Sequence, residues 1–161
     1  MPRPFFAGFL IFAFAALMLA APAHAQSRKP SAQETKIIRD CFAQKGGTEK
    51  DAQCIGLVSA RCSRKPENQA GLSQADCFRI EQEIWDVLLN ETYRELQGDL
   101  DDEEQKTRLR DMQRAWIAAR DATCEFYHVK IQGSMAVPMS ANCLLGETAR
   151  RALFLKTMIG L

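Results

Sequence analysis

The apolar positions of the chain fall into one unbroken run and several periodic stretches. Residues 5–21 contain no charged residue, whereas beyond residue 33 apolar residues recur every three or four positions, the period of one face of an α-helix. Two short amphipathic segments are predicted at 34–44 and 49–62, and three long helices at 74–97, 101–127 and 140–158. No alternating strand pattern extends beyond a few residues. The pattern predicts an all-α fold, a small helical bundle of three long helices and two short N-terminal helices.

Each long helix is expected to bury one apolar stripe, with the connections between helices at its ends. Ser73 is the expected N-cap of the first long helix. The acids at 99–104 are expected to open the second, since negative charge favours a helix N-terminus. An irregular loop is expected at 128–139, which contains Gly133 and Pro138. The predicted stripes are Cys77, Ile80, Ile84, Val87, Leu88 and Leu96 in the first helix, Leu109, Met112, Trp116, Ala119 and Thr123 in the second, and Leu144, Leu145, Thr148, Ala152, Leu155 and Ile159 in the third.

The N-terminal apolar run is typical of a secretory signal peptide. Arg3 precedes it, and the small-residue exit Ala23-His24-Ala25 follows it. Cleavage after Ala25 is expected, leaving a flexible polar arm at 26–33 and a single helical domain at 34–161. The run is short for a membrane span, so the mature chain is expected to have no stable membrane anchor; an uncleaved anchor is the alternative.

Composition and charge fit a single globular domain. The 161 residues are 47% apolar and 25% charged, with a formal net charge of +1. Because Arg3 is the only charged residue of the predicted signal peptide, its removal leaves a mature chain with no net charge. A nucleic-acid partner is therefore not expected, since such proteins carry a basic excess.

Six cysteines lie beyond residue 25, and an even number in an exported chain is typical of a disulfide framework. Pairing of neighbours closes short loops that contain Gly or Pro. A metal site is not expected, because no CxxC motif occurs and His128 is the only histidine beyond the predicted cleavage site. No cofactor is implied. The predicted pairs are Cys41–Cys54, Cys62–Cys77 and Cys124–Cys143.

The sequence contains little sign of an arrangement of catalytic residues, so the protein is not expected to be an enzyme. Ser134 lies near His128 in sequence but has no third member of a triad. Paired carboxylates occur at Glu81 and Glu83 and at Asp121 and Glu125, of which the second pair shares one helix face. A hydrolase that uses Asp121 and Glu125 is retained as one hypothesis, since glycosidases use two carboxylates.

More informative is a set of polar residues placed inside the helical stretches. Trp116 and Arg120 are four positions apart and are expected to stack. Asp121 is expected to pair with Arg151 across helices, with Asn90 completing the network. Two interpretations are open: a buried network that fixes helix register, and a surface that contacts a ligand. The full set is Asn90, Tyr93, Trp116, Arg120, Asp121, Thr148 and Arg151.

These residues resemble the lysozyme inhibitor LprI-like family over about 62–155. The family pattern is a cysteine, a helix ending in LNxxY, a WxxxRDxxC helix, a Gly-Gly-Ser-like loop and CLxxxTxxRxxxL. Gln132 stands where the first glycine of the loop is usual. Here the pattern is carried by Cys77, Leu89, Asn90, Tyr93, Trp116, Arg120, Asp121, Cys124, Gly133, Ser134, Cys143, Leu144, Thr148 and Arg151.

The resemblance implies a periplasmic or secreted helical protein without catalytic activity. It also implies a hypothesis of lysozyme inhibition through the loop 129–139, with Gly133, Ser134 and Met135 as the candidate inhibitory residues. The acids at 99–104 are expected to attract a cationic lysozyme. The alternative is an envelope binding module that uses a groove around Trp85 and Trp116 for a small ligand or for a partner helix of another envelope protein.

Overall fold

The computed structural model describes residues 28–161, and all the regular elements in this range are helical. This confirms the predicted disulfide-stapled helical bundle. The predicted signal peptide lies outside the described residues. None of the helices within 28–161 has an apolar stretch long enough for a membrane span. The helices are α1 (Ala32–Lys45), α2 (Ser59–Ser63), α3 (Gly71–Asp99), α4 (Glu103–Lys130) and α5 (Ala136–Lys156), with short 3-10 turns at Asp51–Cys54 and Pro66–Asn68.

The core forms where α5 packs along α3. Twelve of the 21 residues of α5 are buried, so this helix is nearly surrounded by protein. Trp85 of α3 and Leu145 and Leu155 of α5 are at most 1% exposed. Burying large apolar side chains of this kind stabilises the fold by about 1.5–3 kcal/mol each.

Helix α4 is the outer layer of the bundle. It packs mainly on α5, and only Leu109 and Cys124 among its 28 residues are buried. The predicted inward stripe is therefore too wide here, because Ala119 and Thr123 are exposed. Val87 of α3 is likewise 48% exposed. A helix with a single neighbour buries only a narrow seam, which periodicity alone does not reveal.

Helix α1 packs on α3 through Ile38 and Phe42, and the ring of Phe42 meets Trp85 edge to face at 5.9 Å. It begins two residues before the predicted start because Ser31 and Glu34 form a capping box.

The predicted helix at 49–62 is instead a 3-10 turn followed by the short α2, since Gly56 between them has φ +90°. The polar arm is not wholly loose, because residue 28 pairs with α1 and residue 29 with α3.

Helix α3 starts earlier than predicted. Its N-cap is Ala70 rather than Ser73. The hydroxyl of Ser73 lies in the first turn and donates to the carbonyl oxygens of Glu67 and Ala70 at 2.9 and 3.1 Å.

Three disulfides connect the elements, and all three predicted pairs are confirmed. Cys41–Cys54 joins α1 to the first 3-10 turn, Cys62–Cys77 joins α2 to α3, and Cys124–Cys143 joins α4 to α5. Every cysteine of the chain is paired. Each closed loop stabilises the fold by about 3 kcal/mol through the restriction of the unfolded chain.

Candidate functional site

The indole of Trp116 contacts two guanidinium groups at the α4–α5 contact. The Arg120 guanidinium stacks over the ring at 4.9 Å, which confirms the expected contact, and that of Arg151 lies at 5.4 Å from the ring centre. Arg151 also lies 5.3 Å from the ring of Phe154. Cation–π contacts of this kind contribute about 0.5–2 kcal/mol each, more where water is excluded.

Arg151 is the most buried charge of this cluster, at 8% exposure. Its Nε donates to Oε1 of Gln113 at 2.8 Å, while its Nη2 has no hydrogen-bond partner among the described residues. Burial lowers the pKa of Arg151 from its usual value. Gln113 was not expected from the sequence, because it lies outside the family pattern. Its position three residues before Trp116, on the same helix face, is the feature that could have indicated its contact with this cluster.

The remaining members of the predicted network do not join it. Asp121 pairs with its neighbour Arg120 at 2.7 Å, so the expected Asp121–Arg151 pair is wrong. Asn90 is exposed and donates to Asp86 one turn earlier on α3. Thr148 is fully buried, and its hydroxyl has no hydrogen-bond partner in the described part of the chain. Tyr93 is half-buried and packs on the core.

The expected groove around the two tryptophans is also wrong. Trp85 is 0% exposed, and its Nε1 donates to Oε1 of Glu81 at 3.1 Å inside the core. Only Trp116 approaches the surface, and arginine side chains cover it. A ligand on this face would contact guanidinium groups rather than a pair of indoles.

The connection between α4 and α5 forms a projecting hairpin tip, defined as residues 126–135. The irregular part is shorter than predicted, since α4 runs to Lys130 and α5 starts at Ala136. Gly133 has φ +71°, and Gln132 has φ +56°. This left-handed region suits glycine, in agreement with the glycine that the family pattern of the sequence analysis has at the position of Gln132. Ser134 is exposed.

Four apolar side chains project from the hairpin tip into solvent. They are 41–65% exposed, although a soluble domain gains by burying such groups. Cys124–Cys143 joins the two helices just behind them. The four are Phe126, Val129, Ile131 and Met135.

The acids at 99–104 occupy the opposite end of α4. Asp102 caps this helix, accepting from the backbone N–H of Glu104 at 3.2 Å, as the expected helix start requires. The 28 residues of α4 span about 40 Å at 1.5 Å each. This exceeds the Debye length of about 8 Å at physiological salt. The acids and the hairpin tip are therefore two separate surfaces.

Glu81 is a buried carboxylate that holds α2 against α3. It is 0% exposed. Its Oε1 accepts from the backbone N–H of Gly56 at 2.6 Å, and its Oε2 accepts from those of Val58 and Ser59 at 2.9 and 2.7 Å. Glu83, its neighbour, instead faces outward and pairs with Lys29. The two are not a catalytic pair, and Glu81 fills a structural role.

The other candidates for catalysis are not assembled into a site. Asp121 and Glu125 are exposed on one face of α4 and do not oppose each other across a cleft, as a glycosidase requires. His128 and Ser134 are both exposed. Within 28–161, no cluster of three potential metal-binding side chains occurs.

A small helical domain with three disulfides is typical of proteins that function outside the cytoplasm. Residues 62–155, more than half of the chain, match the family model described as Lysozyme inhibitor LprI. The chain therefore belongs to this family, and the resemblance carried by its motifs is confirmed. Comparisons with curated proteins and with solved structures give no match.

Proposed function

We propose that the protein is exported to the periplasm or secreted, and that it inhibits a lysozyme through the hairpin tip. Three kinds of observation support export: the N-terminal sequence pattern, the three disulfides, and a family of inhibitors of an extracytoplasmic enzyme. Family membership also agrees with a binding role rather than a catalytic one.

The observation that carries the proposal is the exposed apolar cluster on the disulfide-tethered hairpin tip. Val129 and Met135 are 65% and 51% exposed, and exposed patches of apolar side chains mark sites of protein–protein interaction. The helix ends and Cys124–Cys143 fix the tip before binding, so little conformational entropy is lost when it docks in an enzyme cleft.

The acids at 99–104 have no part in this contact. Their distance of about 40 Å from the tip leaves them screened at physiological salt. We therefore expect inhibition through the tip to depend weakly on ionic strength.

The test is a cell-lysis assay with purified oxidised protein and a panel of lysozymes. Replacing Val129 and Met135 together by Glu should weaken inhibition at least about tenfold, since the tip loses two apolar contacts of about 1.5 kcal/mol each. Leu161→Glu is the control, because Leu161 is 98% exposed and lines a surface cavity with Asp101 and Asp102 at the opposite end of α4 from the tip. Equal inhibition by the tip variant and the control would show that the tip is not the contact surface.

A parent protein that inhibits no lysozyme in the panel would refute the proposed activity. An envelope binding module that uses a surface other than the tryptophan groove would then be the better hypothesis. Circular dichroism of each variant checks that helix content is unchanged, so that loss of inhibition reports on the surface and not on folding.

A further inference from the structure

A groove of about 760 Å³ lies at the elbow where α3 ends and α4 begins. The last turn of α3, the first turns of α4 and the segment after α5 form its walls. We call this surface the elbow groove. It is at the opposite end of α4 from the hairpin tip, and the proposed inhibition does not use it.

The floor of the elbow groove is apolar. Leu96 and Leu109 are 2% and 5% exposed, and they belong to the hydrophobic core. Three partly buried side chains extend this floor toward the opening: Leu100, Met112 and Met158. Met side chains are flexible and adapt to apolar groups of different shape. The groove can therefore accept an apolar side chain from a partner.

The rim of the elbow groove is acidic. It carries the carboxylates of Asp99, Asp101, Asp102 and Glu104. Arg108 is the one basic residue of the lining, and it pairs with Glu104 at 3.2 Å.

The other three carboxylates have no cationic side chain within 4 Å among residues 28–161. Asp99 accepts from the backbone N–H of Gly160 at 2.9 Å, and Asp102 caps α4. Within the described residues, three of the four rim carboxylates thus lie beside the apolar floor without a cationic partner.

We propose that the elbow groove binds a basic amphipathic polypeptide segment, in which an apolar side chain enters the groove and flanking Lys or Arg side chains pair with the rim. An acidic segment or an anionic lipid is repelled by the rim. A neutral apolar ligand gains nothing from the carboxylates, and a simple polyamine gains nothing from the floor. A basic amphipathic segment uses both features, and this charge complementarity sets its orientation.

The test measures binding of a synthetic Lys/Leu peptide, with its leucines on one helix face, to the full mature protein by calorimetry. Two comparison peptides separate the contributions: one with Gln in place of Lys, and one with Ala in place of Leu. The parent protein should bind the Lys/Leu peptide at least about tenfold more tightly than either, and added salt should weaken that binding.

Two variants place the binding in the elbow groove. Asp101→Lys should weaken binding about tenfold, since it removes an attraction and adds a repulsion. Its matched control is Asp111→Lys, an exposed site on α4 outside the groove. Met158→Gln should weaken binding about fivefold through loss of apolar contact, with Met135→Gln at the hairpin tip as the control.

Several results would overturn the proposal. One is a Gln/Leu peptide that binds the parent protein as tightly as the Lys/Leu peptide does. Another is a groove variant whose affinity for the Lys/Leu peptide falls no further than that of its control. A third is no binding of the Lys/Leu peptide at all. Self-association of the parent that Asp101→Lys abolishes would assign the groove to a second copy instead. Because the assay contains no lysozyme, failure here leaves the hairpin-tip proposal intact, and failure of inhibition does not affect this one.

Discussion

Replacing Glu81 by Gln tests whether this carboxylate is a structural group. The substitution keeps the size of the side chain but replaces one oxygen by an NH2 group. Oε1 accepts from Gly56 N and Trp85 Nε1, and Oε2 accepts from Val58 N and Ser59 N. Whichever way the amide turns, two buried N–H donors face another donor.

The expected cost follows from those lost acceptors. A buried donor without an acceptor costs about 1–3 kcal/mol, and bonds to a charged group are the stronger ones. Partial relaxation of the turn at Gly56 recovers part of this. We expect the free energy of unfolding to fall by about 3 kcal/mol, a large part of the 5–15 kcal/mol typical of a domain. Glu83→Gln is the matched control, since its pairing with the 85%-exposed Lys29 is worth about 0.5 kcal/mol or less.

Urea denaturation followed by circular dichroism, with the disulfides oxidised, measures both variants. Amide hydrogen exchange gives a second readout, because Cys62–Cys77 keeps α2 attached to α3 even if the turn opens locally. Exchange at Gly56, Val58 and Ser59 should accelerate in Glu81→Gln and not in Glu83→Gln. Equal unfolding free energies together with unchanged exchange at these amides would refute the structural role.

Two further predictions concern arginines. Arg151→Ala should destabilise by about 2 kcal/mol, Arg120→Ala by about 1 kcal/mol and Arg108→Ala by about 0.5 kcal/mol or less, following their decreasing burial; equal melting shifts would contradict this order. The hydrogen-bonded guanidinium of Arg28 lowers the pKa of Glu34 from 4.5 to about 2. Its contribution to stability is therefore present above pH 4.5 and lost as the pH falls toward 2. An NMR titration should show the Glu34 pKa rising in Arg28→Ala, and an unchanged pKa would refute the assignment.

The helices and disulfides could be predicted because both depend on local features of the sequence. Apolar spacing defined α3, α4 and α5 to within a few residues, and neighbouring cysteines proved to be the paired ones. The positions of the helix ends were predicted less accurately, because the residue at which a helix begins or ends depends on its capping interactions. Pro138, the third residue of α5, shows why: a proline in the first turn of a helix lacks only a donor that has no partner there, so Pro138 lies inside α5 rather than in a loop.

The polar network was predicted less well because its partners lie on different helices. The Trp116–Arg120 stack follows from a four-residue spacing. The contact of Arg151 with Gln113 depends on how α4 and α5 are rotated against each other, which a single sequence does not specify. Asp121 was placed with the wrong arginine because the adjacent Arg120 on the same helix was nearer than an arginine on another helix.

The structural role of Glu81 was not predicted, although it follows from two features that were: the buried stripe of α3 and the Cys62–Cys77 disulfide. Glu81 follows Cys77 by four residues and precedes Trp85 by four, so it lies within the buried stripe of α3, where a charge needs partners. The predicted Cys62–Cys77 disulfide places α2 beside that part of the stripe, with Ser59 one turn before Cys62. Together these features place a carboxylate against the start of α2, where backbone N–H groups are free to donate. A charged residue inside an apolar stripe, one turn from a disulfide, is thus evidence for a cap on the cross-linked segment before it is evidence for catalysis.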